Sequence, residues 1–427
     1  MEKTENKNII LTVAGMAVSR FGSLIYTFAI GLYVLKITGS GQSFGITLML
    51  GILPRVLLGP FAGNLSDRMS KKMLIVGSDL FSGILMFVLY VYTLQGDLNL
   101  PLIYGATLLL SLSSVVLDNA FGAAQRDIVR VESLTKLGSL RQSLDSITNL
   151  ASPMIGGVIY ALLPIGAFLL INGISFFLSS ASEYLIDFNF NRDKSAEKLK
   201  QSFFKDMNSG FIYFKKDKLL VGIGISAMML NFFLSSTAII MPIAIVENMG
   251  ISEQLYGLSS SIMSLGALAG AIIVGKKNSK LTRNLLIKAL GSVALFFSLT
   301  GLVMHSLFGG SYLALTLITL FGFLMVASVT LINVPIGVFF QTRVEPSYLG
   351  RIGSIIGSLC LGIMPLSYLL YGFLSERFSP FAILTVSGAL NILIILIMAA
   401  MPIFSELDVH IKKMESLSPN GEAGETV

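Results

Sequence analysis

Long apolar segments separated by short polar clusters follow one another along almost the whole chain. Cutting at the polar clusters and turn residues predicts twelve helical spans, at roughly 9–35, 43–66, 71–95, 101–125, 134–161, 164–187, 218–246, 253–275, 283–306, 311–340, 348–374 and 379–403. Each span is long enough to cross the hydrocarbon core of a bilayer as an α-helix. The pattern therefore predicts an all-α polytopic membrane protein, and the even number of spans places both termini on one side.

The longest polar stretch lies at the midpoint of the chain and separates six predicted spans from six. It predicts an N-terminal six-helix bundle at 1–187, a cytoplasmic linker at 188–217, a C-terminal six-helix bundle at 218–403 and a cytoplasmic tail at 404–427. Within the linker, the segment FFKDMNSGFIYF has apolar residues at helical spacing. This spacing favours a short amphipathic helix on the inner leaflet over a disordered tether.

Composition excludes several classes of protein. The chain has 427 residues, of which 54% are hydrophobic and 13% charged, and soluble proteins carry about 25% charged residues. The single cysteine, Cys360, and two histidines, His305 and His410, exclude a disulfide framework and leave little for a metal site. No phosphate-binding loop, HExxH motif or plausible nucleophile and histidine pair occurs, so we expect neither an enzyme nor a bound cofactor.

The basic residues have a strongly uneven distribution. If the N-terminus is cytoplasmic, nearly all of the 30 lysines and arginines fall in the termini and cytoplasmic loops, and only Lys36 and Arg377 lie outside. An excess of lysine and arginine marks the cytoplasmic side of a membrane protein. The net charge of +6 therefore reflects topology and not nucleic-acid binding. We expect a monomer that spans a bacterial cell membrane many times and contacts its lipids.

Two short sequence echoes suggest internal repeats. The triplet RVE occurs at Arg130 and again at Arg343, after the fourth and the tenth predicted spans. GNLSDR (63–68) ends the second span on the inside, and GFLSER (372–377) ends the eleventh span on the outside. Equivalent positions in three-helix units of opposite orientation are typical of inverted repeats in transporters.

Charged residues within the apolar spans are the candidates for function. They are Arg20, Arg55, Asp79, Asp118 and Asp145, all in the first half of the chain. Each costs on the order of 2.5 to 3.5 kcal/mol to insert at the centre of a membrane helix, so such residues are usually functional or paired. Proton binding and release by the aspartates and static ion pairs that set helix register are the two alternatives for this group.

Several motifs resemble one transporter family. The loop Gly63-x-Leu65-x-Asp67-Arg68-x-x-Lys71-Lys72 resembles the signature loop between the second and third helices of the major facilitator superfamily. Ser152-Pro153-Met154-Ile155-Gly156-Gly157 resembles its antiporter motif, with serine in place of the first glycine. Further stretches resemble the macrolide-efflux group of drug/proton antiporters: KITGS (36–40), LPRVLLGPFAGNLSDR (53–68), IVGSDL (75–80) and YLGRIGSIIGSLCLGIMP (348–365). The usual arginine early in the fourth helix of that group has no counterpart in LLLSLSSVVLDN (108–119).

The resemblance implies roles for the motif residues. A conformational latch would hold the cytoplasmic side shut, through Gly63, Asp67, Arg68, Lys72 and Arg351. Pro153, Gly156 and Gly157 would bend and thin the fifth helix, so that it nearly touches its partner in the other half.

The resemblance also places the buried charges. Arg20 and Asp118 would face a central cavity, Arg55 would pair with Asp145, and Asp79 would brace the loop that carries Asp67.

The same resemblance implies a function and a cavity. We expect a secondary active exporter that moves a bulky amphipathic, macrolide-like compound out of the cell by alternating access, in exchange for protons. Alternatives are a lipid, lysolipid or siderophore exporter with different or no ion coupling, and a non-transporting membrane receptor. Apolar and aromatic residues of cavity-facing helices are the candidate substrate contacts: Tyr26, Phe28, Asn231, Phe232, Phe233, Met241, Asn333 and Phe340.

Overall fold

The computed structural model describes residues 2–191, 203–277, 280–305 and 312–416, with the side chains at 59–68, 203–207 and 412–416 left aside. These residues are helical almost throughout. The first six helices are α1 (Glu2–Thr38), α2 (Gly41–Arg68), α3 (Lys71–Thr93), α4 (Leu100–Ile128), α5 (Leu134–Leu162) and α6 (Ile165–Tyr184). The others are α7 (Phe203–Lys216), α8 (Lys218–Ser235), α9 (Thr237–Pro242), α10 (Glu253–Lys277), α11 (Arg283–Val303), α12 (Tyr312–Arg343), α13 (Leu349–Gly362), α14 (Met364–Ser375), α15 (Pro380–Ala400) and α16 (Glu406–Ser416).

Local sequence explains where the helices begin and end. Gly39 joins α1 to α2 with a φ of 59°, a left-handed conformation that glycine adopts without steric cost. Ser70 and Asn99 cap α3 and α4 by accepting hydrogen bonds from backbone N–H groups of the first turn. α9 has its last residue at Pro242, which has no backbone N–H to donate, and the chain continues as a π-helical turn over Ile243–Asn248.

Eleven helical segments within the described residues are long and apolar enough to cross a membrane. They coincide with eleven of the predicted spans, two of them as composite segments, Lys218–Asn248 and Leu349–Ser375. The fifth predicted span, 134–161, forms α5 but is not among them, because it contains Lys136, Arg141, Asp145 and many hydroxyl side chains. The all-α fold class is confirmed, whereas twelve membrane crossings and cytoplasmic termini stay predictions.

The first compact unit, called unit 1, comprises Met1–Leu199, Met241–Ser261 and Met364–Arg377. Within it, α1 packs against α5 and α6, α3 against α4 and α6, and α2 against α4 and α14. One apolar core surrounds residues such as Tyr26, Met86 and Phe176. A second core lies around Ile9 and Phe121, towards the N-terminal end of α1. In a bilayer the lipid tails are as apolar as these faces, so close van der Waals packing and interhelical hydrogen bonds hold the helices of the unit together.

The second compact unit, called unit 2, comprises Lys200–Ile240, Ile262–Ile363 and Phe378–Val427. In this unit α11 packs between α12 and α15, and α8 packs against α13. The linker helix α7 belongs to the same core, where the buried Phe214 contacts the position of Gly224 on α8. The boundaries predicted for the two bundles, the linker and the tail stay predictions.

Candidate functional site

An ion-pair network connects three helices of unit 1 through Arg20. Its guanidinium donates from Nη2 to Oδ1 of Asp118 on α4, at 2.9 Å, and its Nη1 contacts Oδ1 of Asp145 on α5. The planar fork of arginine suits this bridge, because its N–H groups reach two carboxylates at once in a fixed geometry. Arg20 therefore ties α1 to α4 and α5 at one level of the unit.

Two further arginines converge on the same aspartate. Arg55 Nη2 lies 2.7 Å from Asp118 Oδ2, and Arg141 Nη2 lies 4.0 Å from Asp118 Oδ1. The network thus contains three guanidinium groups for two carboxylates. The Arg55 side chain is 49% exposed, whereas the others are about a quarter exposed. The carboxylate charges are offset by cations, and one positive charge remains in excess.

The pairing differs from the expected one. Arg55 pairs with Asp118 and not with Asp145, because α2 packs along α4 and brings these two side chains together. Arg141 joins the network although its sequence context indicates only a cytoplasmic base. The signal available in the sequence is the spacing of Arg141 and Asp145, which puts both on one face of α5.

Asp79 lies on another side of α1, in a second polar cluster that is fully enclosed. Its side chain is 0% exposed and accepts a hydrogen bond from the hydroxyl of Ser19 at Oδ2. Ser19 in turn contacts Ser179 of α6, with 2.8 Å between the hydroxyl oxygens. Glu183, one turn further along α6, is also 0% exposed and completes this cluster. Sequence reasoning missed Glu183, because it stands near the end of an apolar span and reads as an interfacial residue.

The antiporter-like motif forms a close helix contact within unit 1. A Cβ atom built on Gly157 would lie 2.6 Å from the carbonyl oxygen of Glu253, and one on Gly257 would lie 2.4 Å from that of Pro153. Small residues allow helix backbones in membranes to approach this closely. The first turns of α10 are thus the part of unit 1 that α5 approaches at this motif, and the role of the motif in transport stays a prediction.

Gly156 makes room for an aromatic stack beside this contact. A Cβ atom on Gly156 would lie 2.9 Å from Cδ1 of Phe28. The Phe28 ring stacks on Tyr256, with 5.6 Å between ring centroids and 14° between planes. The motif glycines therefore make room for two neighbours: Gly157 for the backbone of α10 and Gly156 for the side chain of Phe28 on α1.

The repeat-related segment GFLSER contacts the start of α2. A Cβ atom on Gly372 would lie 2.8 Å from the carbonyl oxygen of Gly41. The Glu376 carboxylate accepts hydrogen bonds at Oε1 from Ser40 Oγ, at 2.5 Å, and from the backbone N–H of Gln42, at 3.3 Å. Glu376 therefore caps the N-terminal end of α2, where the unpaired N–H groups favour a negative charge.

The residues predicted to form the latch lie in both units. Gly63, Asp67 and Arg68 occupy the last turns of α2, where side chains are outside the described set. In unit 1, Lys72 Nζ lies 4.0 Å from the centroid of the Tyr184 ring. In unit 2, Arg351 Nη1 donates to Ser209 Oγ at 3.1 Å.

The candidate substrate residues have varied surroundings. In unit 1, Tyr26 is buried and its hydroxyl lies 3.2 Å from Thr107 Oγ1, and Met241 is buried. In unit 2, the Phe232 and Phe233 rings meet edge to face, and Asn231 Nδ2 donates to the carbonyl oxygen of Ala227.

On α12, Asn333 is exposed, and the Phe340 ring lies 6.0 Å from that of Phe339. The part of the chain that the structure describes contains no group of three or more histidine, cysteine, aspartate or glutamate residues that could hold a metal.

Comparison with known proteins gives the class to which this fold belongs. The family model of the Major Facilitator Superfamily matches residues 12–365. The chain therefore belongs to the major facilitator superfamily of membrane transporters. Solved structures agree on the fold: a bacterial homologue of the iron transporter ferroportin, in an inward-facing state, superposes with a TM-score of 0.72 at 16% identity, covering 94% of this chain and 100% of that one. A bacterial homologue of the human lysosomal transporter Spinster gives 0.69 at 12% identity, covering 97% and 98%.

Sequence relatives narrow the group. The chain is 25% identical to macrolide efflux protein A of Streptococcus pyogenes over 417 residues, which is 96% of this chain and 100% of that protein. It is 24% identical to macrolide efflux protein A of Enterococcus faecalis over 334 residues, 77% of this chain and 99% of that protein. The resemblance to the macrolide-efflux group is thus confirmed along nearly the whole chain.

Proposed function

We propose that this protein is a drug exporter of the bacterial cell membrane. It moves a bulky amphipathic compound of macrolide type out of the cell by alternating access, in exchange for protons, and performs no enzymatic reaction. The observation that carries the proposal is the similarity to macrolide efflux protein A over 96% of this chain. A monomer with both termini in the cytoplasm, surrounded by lipid, is the form in which we expect it to work.

The helix contacts of unit 1 are consistent with alternating access. At Gly157 with α10 and at Gly372 with α2, the helix surfaces approach backbone to backbone, because the glycines place no side chain between them. Such surfaces separate without breaking interlocked side chains, and they limit leaks when closed. Helices that part and meet again during each transport cycle are expected to use contacts of this kind.

The latch is part of the same proposal. Glu376 caps the start of α2, and Asp67 is its counterpart in the repeated segment GNLSDR. By this symmetry Asp67, with Gly63, Arg68 and Lys72, engages the start of α13 near Arg351 when the cytoplasmic side closes. A disulfide cross-link between D67C and R351C tests this: it should form in a closed-inside state and stop export, and failure to form under any transport condition contradicts the latch.

The substrate is expected to contact the aromatic and methionine side chains predicted from the sequence. They combine apolar surface with few hydrogen-bonding groups, which suits a large amphipathic compound. Phe28 is the strongest candidate for a substrate contact, because its ring is only partly buried and stacks on Tyr256. The remaining candidates are Tyr26, Asn231, Phe232, Phe233, Met241, Asn333 and Phe340.

Inside-out membrane vesicles provide the test. Vesicles that contain the protein should accumulate a labelled macrolide when a proton gradient is imposed, and an uncoupler should abolish the accumulation. Vesicles without the protein are the control for passive partition. A panel that also contains a cationic dye and a lysolipid distinguishes the candidate substrates. Accumulation of the lysolipid alone would identify a lipid exporter. Saturable binding without flux would indicate a receptor.

A further inference from the structure

Two acidic side chains of unit 1 lie together in a place closed to solvent. Asp79 on α3 and Glu183 on α6 are each 0% exposed. The hydroxyls of Ser19 and Ser179 join their carboxyl groups, and each acid is close enough to act electrostatically on the other. Burial of even one ionised carboxylate is costly unless a cation or several donors face it. The pair therefore needs a specific explanation.

Few groups face this pair. Within the described residues, the hydroxyls of Ser19 on α1 and Ser179 on α6 donate hydrogen bonds to the two carboxyls. On the side of α4, the Ser113 hydroxyl donates to the carbonyl oxygen of Ser78. None of the ion pairs found in the described part of the chain includes Asp79 or Glu183. No lysine, arginine or histidine balances their charge there.

One oxygen of each acid lacks a donor. Asp79 Oδ1 and Glu183 Oε2 are both buried without a hydrogen-bond partner among the described residues. An ionised carboxylate can only accept hydrogen bonds, so two of them side by side repel each other. A proton on either acid converts the repulsion into a hydrogen bond, as in other carboxyl pairs that share one proton.

The hydroxyls link the same two acids by a second route. Ser19 Oγ donates to Asp79 Oδ2 and lies 2.8 Å from Ser179 Oγ. Ser179 Oγ lies 3.3 Å from Glu183 Oε1 and 3.0 Å from the carbonyl oxygen of Gly15. Asp79, Ser19, Ser179 and Glu183 thus form a ring of four side chains from three helices. Each hydroxyl both donates and accepts, so a proton can pass around the ring in either direction.

Gly15 shapes the space for the glutamate. A Cβ atom on Gly15 would lie 3.0 Å from Glu183 Cγ and 3.1 Å from Glu183 Oε1. The glycine lets α1 and α6 approach while the glutamate stays between them, which is how small residues are used at membrane helix contacts.

We propose that Asp79 and Glu183 form a proton-binding site inside unit 1, in which one proton is shared by the two carboxyls. This inference deepens the proposed proton exchange by assigning the proton to a site other than Asp118 and Asp145. Those two aspartates face guanidinium groups, whereas the Asp79 and Glu183 pair gains its stability from a bound proton.

A short path connects this site to the ion-pair network. Ser19, which donates to Asp79, is followed in α1 by Arg20, which bridges Asp118 and Asp145. Loss of the shared proton leaves two negative charges in contact and pushes α3 and α6 apart at this level. Because Ser19 hydrogen-bonds both helices, the backbone of α1 moves with them, and Arg20 transmits the movement to α4 and α5. Proton release and helix rearrangement are coupled in this way.

Infrared spectroscopy of the purified full-length protein tests the bound proton. A protonated carboxylic acid has a carbonyl stretch that a carboxylate lacks, and we expect such a band at neutral pH in the wild-type protein. The double variant D79N/E183Q should lose this band, and D97N, which removes the exposed Asp97, should retain it. Absence of the band from the wild-type protein, or its persistence in the double variant, would overturn the proposal. The wild-type measurement stands even where the double variant does not fold.

Transport measurements test the coupling. In proteoliposomes, the double variant should still pass a macrolide down its own gradient but should lose accumulation driven by a pH gradient. Full gradient-driven accumulation by the double variant would refute a role in coupling. If the wild-type protein moves none of the compounds, the proposed function is refuted. The proton-binding site is then tested by the infrared measurement alone. Loss of the infrared band on addition of sodium ions would identify a metal-cation site and overturn the assignment to a proton.

Discussion

Gly157 of α5 lies against Gly257 of α10 so closely that a Cβ atom on either residue would be 3.2 Å from the Cα atom of the other. The two helices meet backbone to backbone over this turn, with carbonyl oxygens of Glu253 and Pro153 on the two sides. No side chain larger than a hydrogen atom fits there without movement of one helix.

The first prediction concerns this contact. G157A should destabilise the protein by about 1 to 3 kcal/mol, the usual cost of forcing extra atoms into a close-packed site. Thermal unfolding in detergent measures the effect. G138A is the matched control, because Gly138 lies in the same helix and nothing stands within 4 Å of its Cβ position. Alanine has the higher helix propensity, so G138A should be neutral or slightly stabilising, and an equal loss in the two variants would show that the close contact is not responsible.

The second prediction concerns Arg20. R20Q removes the ion pair that the structure gives Asp145, and it also removes one of the pairs of Asp118. R55Q removes only one pair of Asp118, from a side chain that is half exposed. We expect R20Q to cost about 2 kcal/mol, less than a fully buried pair because its groups are a quarter exposed, and R55Q to cost less than about 1 kcal/mol.

Chemical unfolding of the two arginine variants provides the comparison. R20K is a second variant of interest, because lysine keeps the charge but cannot bridge two carboxylates with a planar fork. It should recover less than half of the lost stability. Complete recovery by R20K would mean that the charge alone matters and that the bridge between α4 and α5 does not.

The third prediction concerns the cap on α2. E376A should lower stability by about 1 kcal/mol, because it removes an acceptor and a negative charge from the start of that helix. E376Q keeps the acceptor and should lose about half as much. The difference between the two variants should shrink at high salt, which screens the charge at this exposed position. D97A, at another exposed acid, is the control and should be neutral.

The fold and the candidate charged residues could be predicted from the sequence, because both depend on the difference between apolar and polar residues within one segment. Apolar runs of membrane length define the helices, and Arg20, Arg55, Asp79, Asp118 and Asp145 stand out because their neighbours are apolar. The pairing could not be read in the same way, since it depends on which helices pack side by side. Arg55 reaches Asp118 because α2 lies along α4.

Residues near the ends of spans are the ones that sequence reasoning missed. Arg141 and Glu183 both stand where charged side chains normally mark the membrane surface. The structure encloses Glu183 completely and turns Arg141 towards Asp118. The burial of Glu183 is produced by the neighbouring helices and leaves no signal in its own segment, whereas the spacing of Arg141 from Asp145 in α5 is a signal that the sequence does carry.

The fourth prediction follows from the repeated RVE triplets, which prove to hold equivalent places in the two halves. Arg130 follows α4 and pairs with Glu5 in the first turn of α1, at 3.6 Å between Nε and Oε2. Arg343 ends α12 and pairs with Asp217, which caps the start of α8. In each half, an arginine at the end of the fourth span is bound to an acid at the start of the first.

The two pairs should differ in strength, because their geometries differ. Arg343 makes two hydrogen bonds to Asp217, at 2.7 and 3.3 Å, and its side chain is 24% exposed. The Arg130 side chain is 42% exposed, and its ion pair is longer. R343A should therefore cost about 2 kcal/mol and R130A about 0.5 kcal/mol in unfolding measurements. R343K should restore less than half of the loss, since lysine cannot reproduce the two parallel bonds. Equal losses of stability in R343A and R130A would contradict this prediction, because they would show that the different geometries of the two ion pairs do not change their strength.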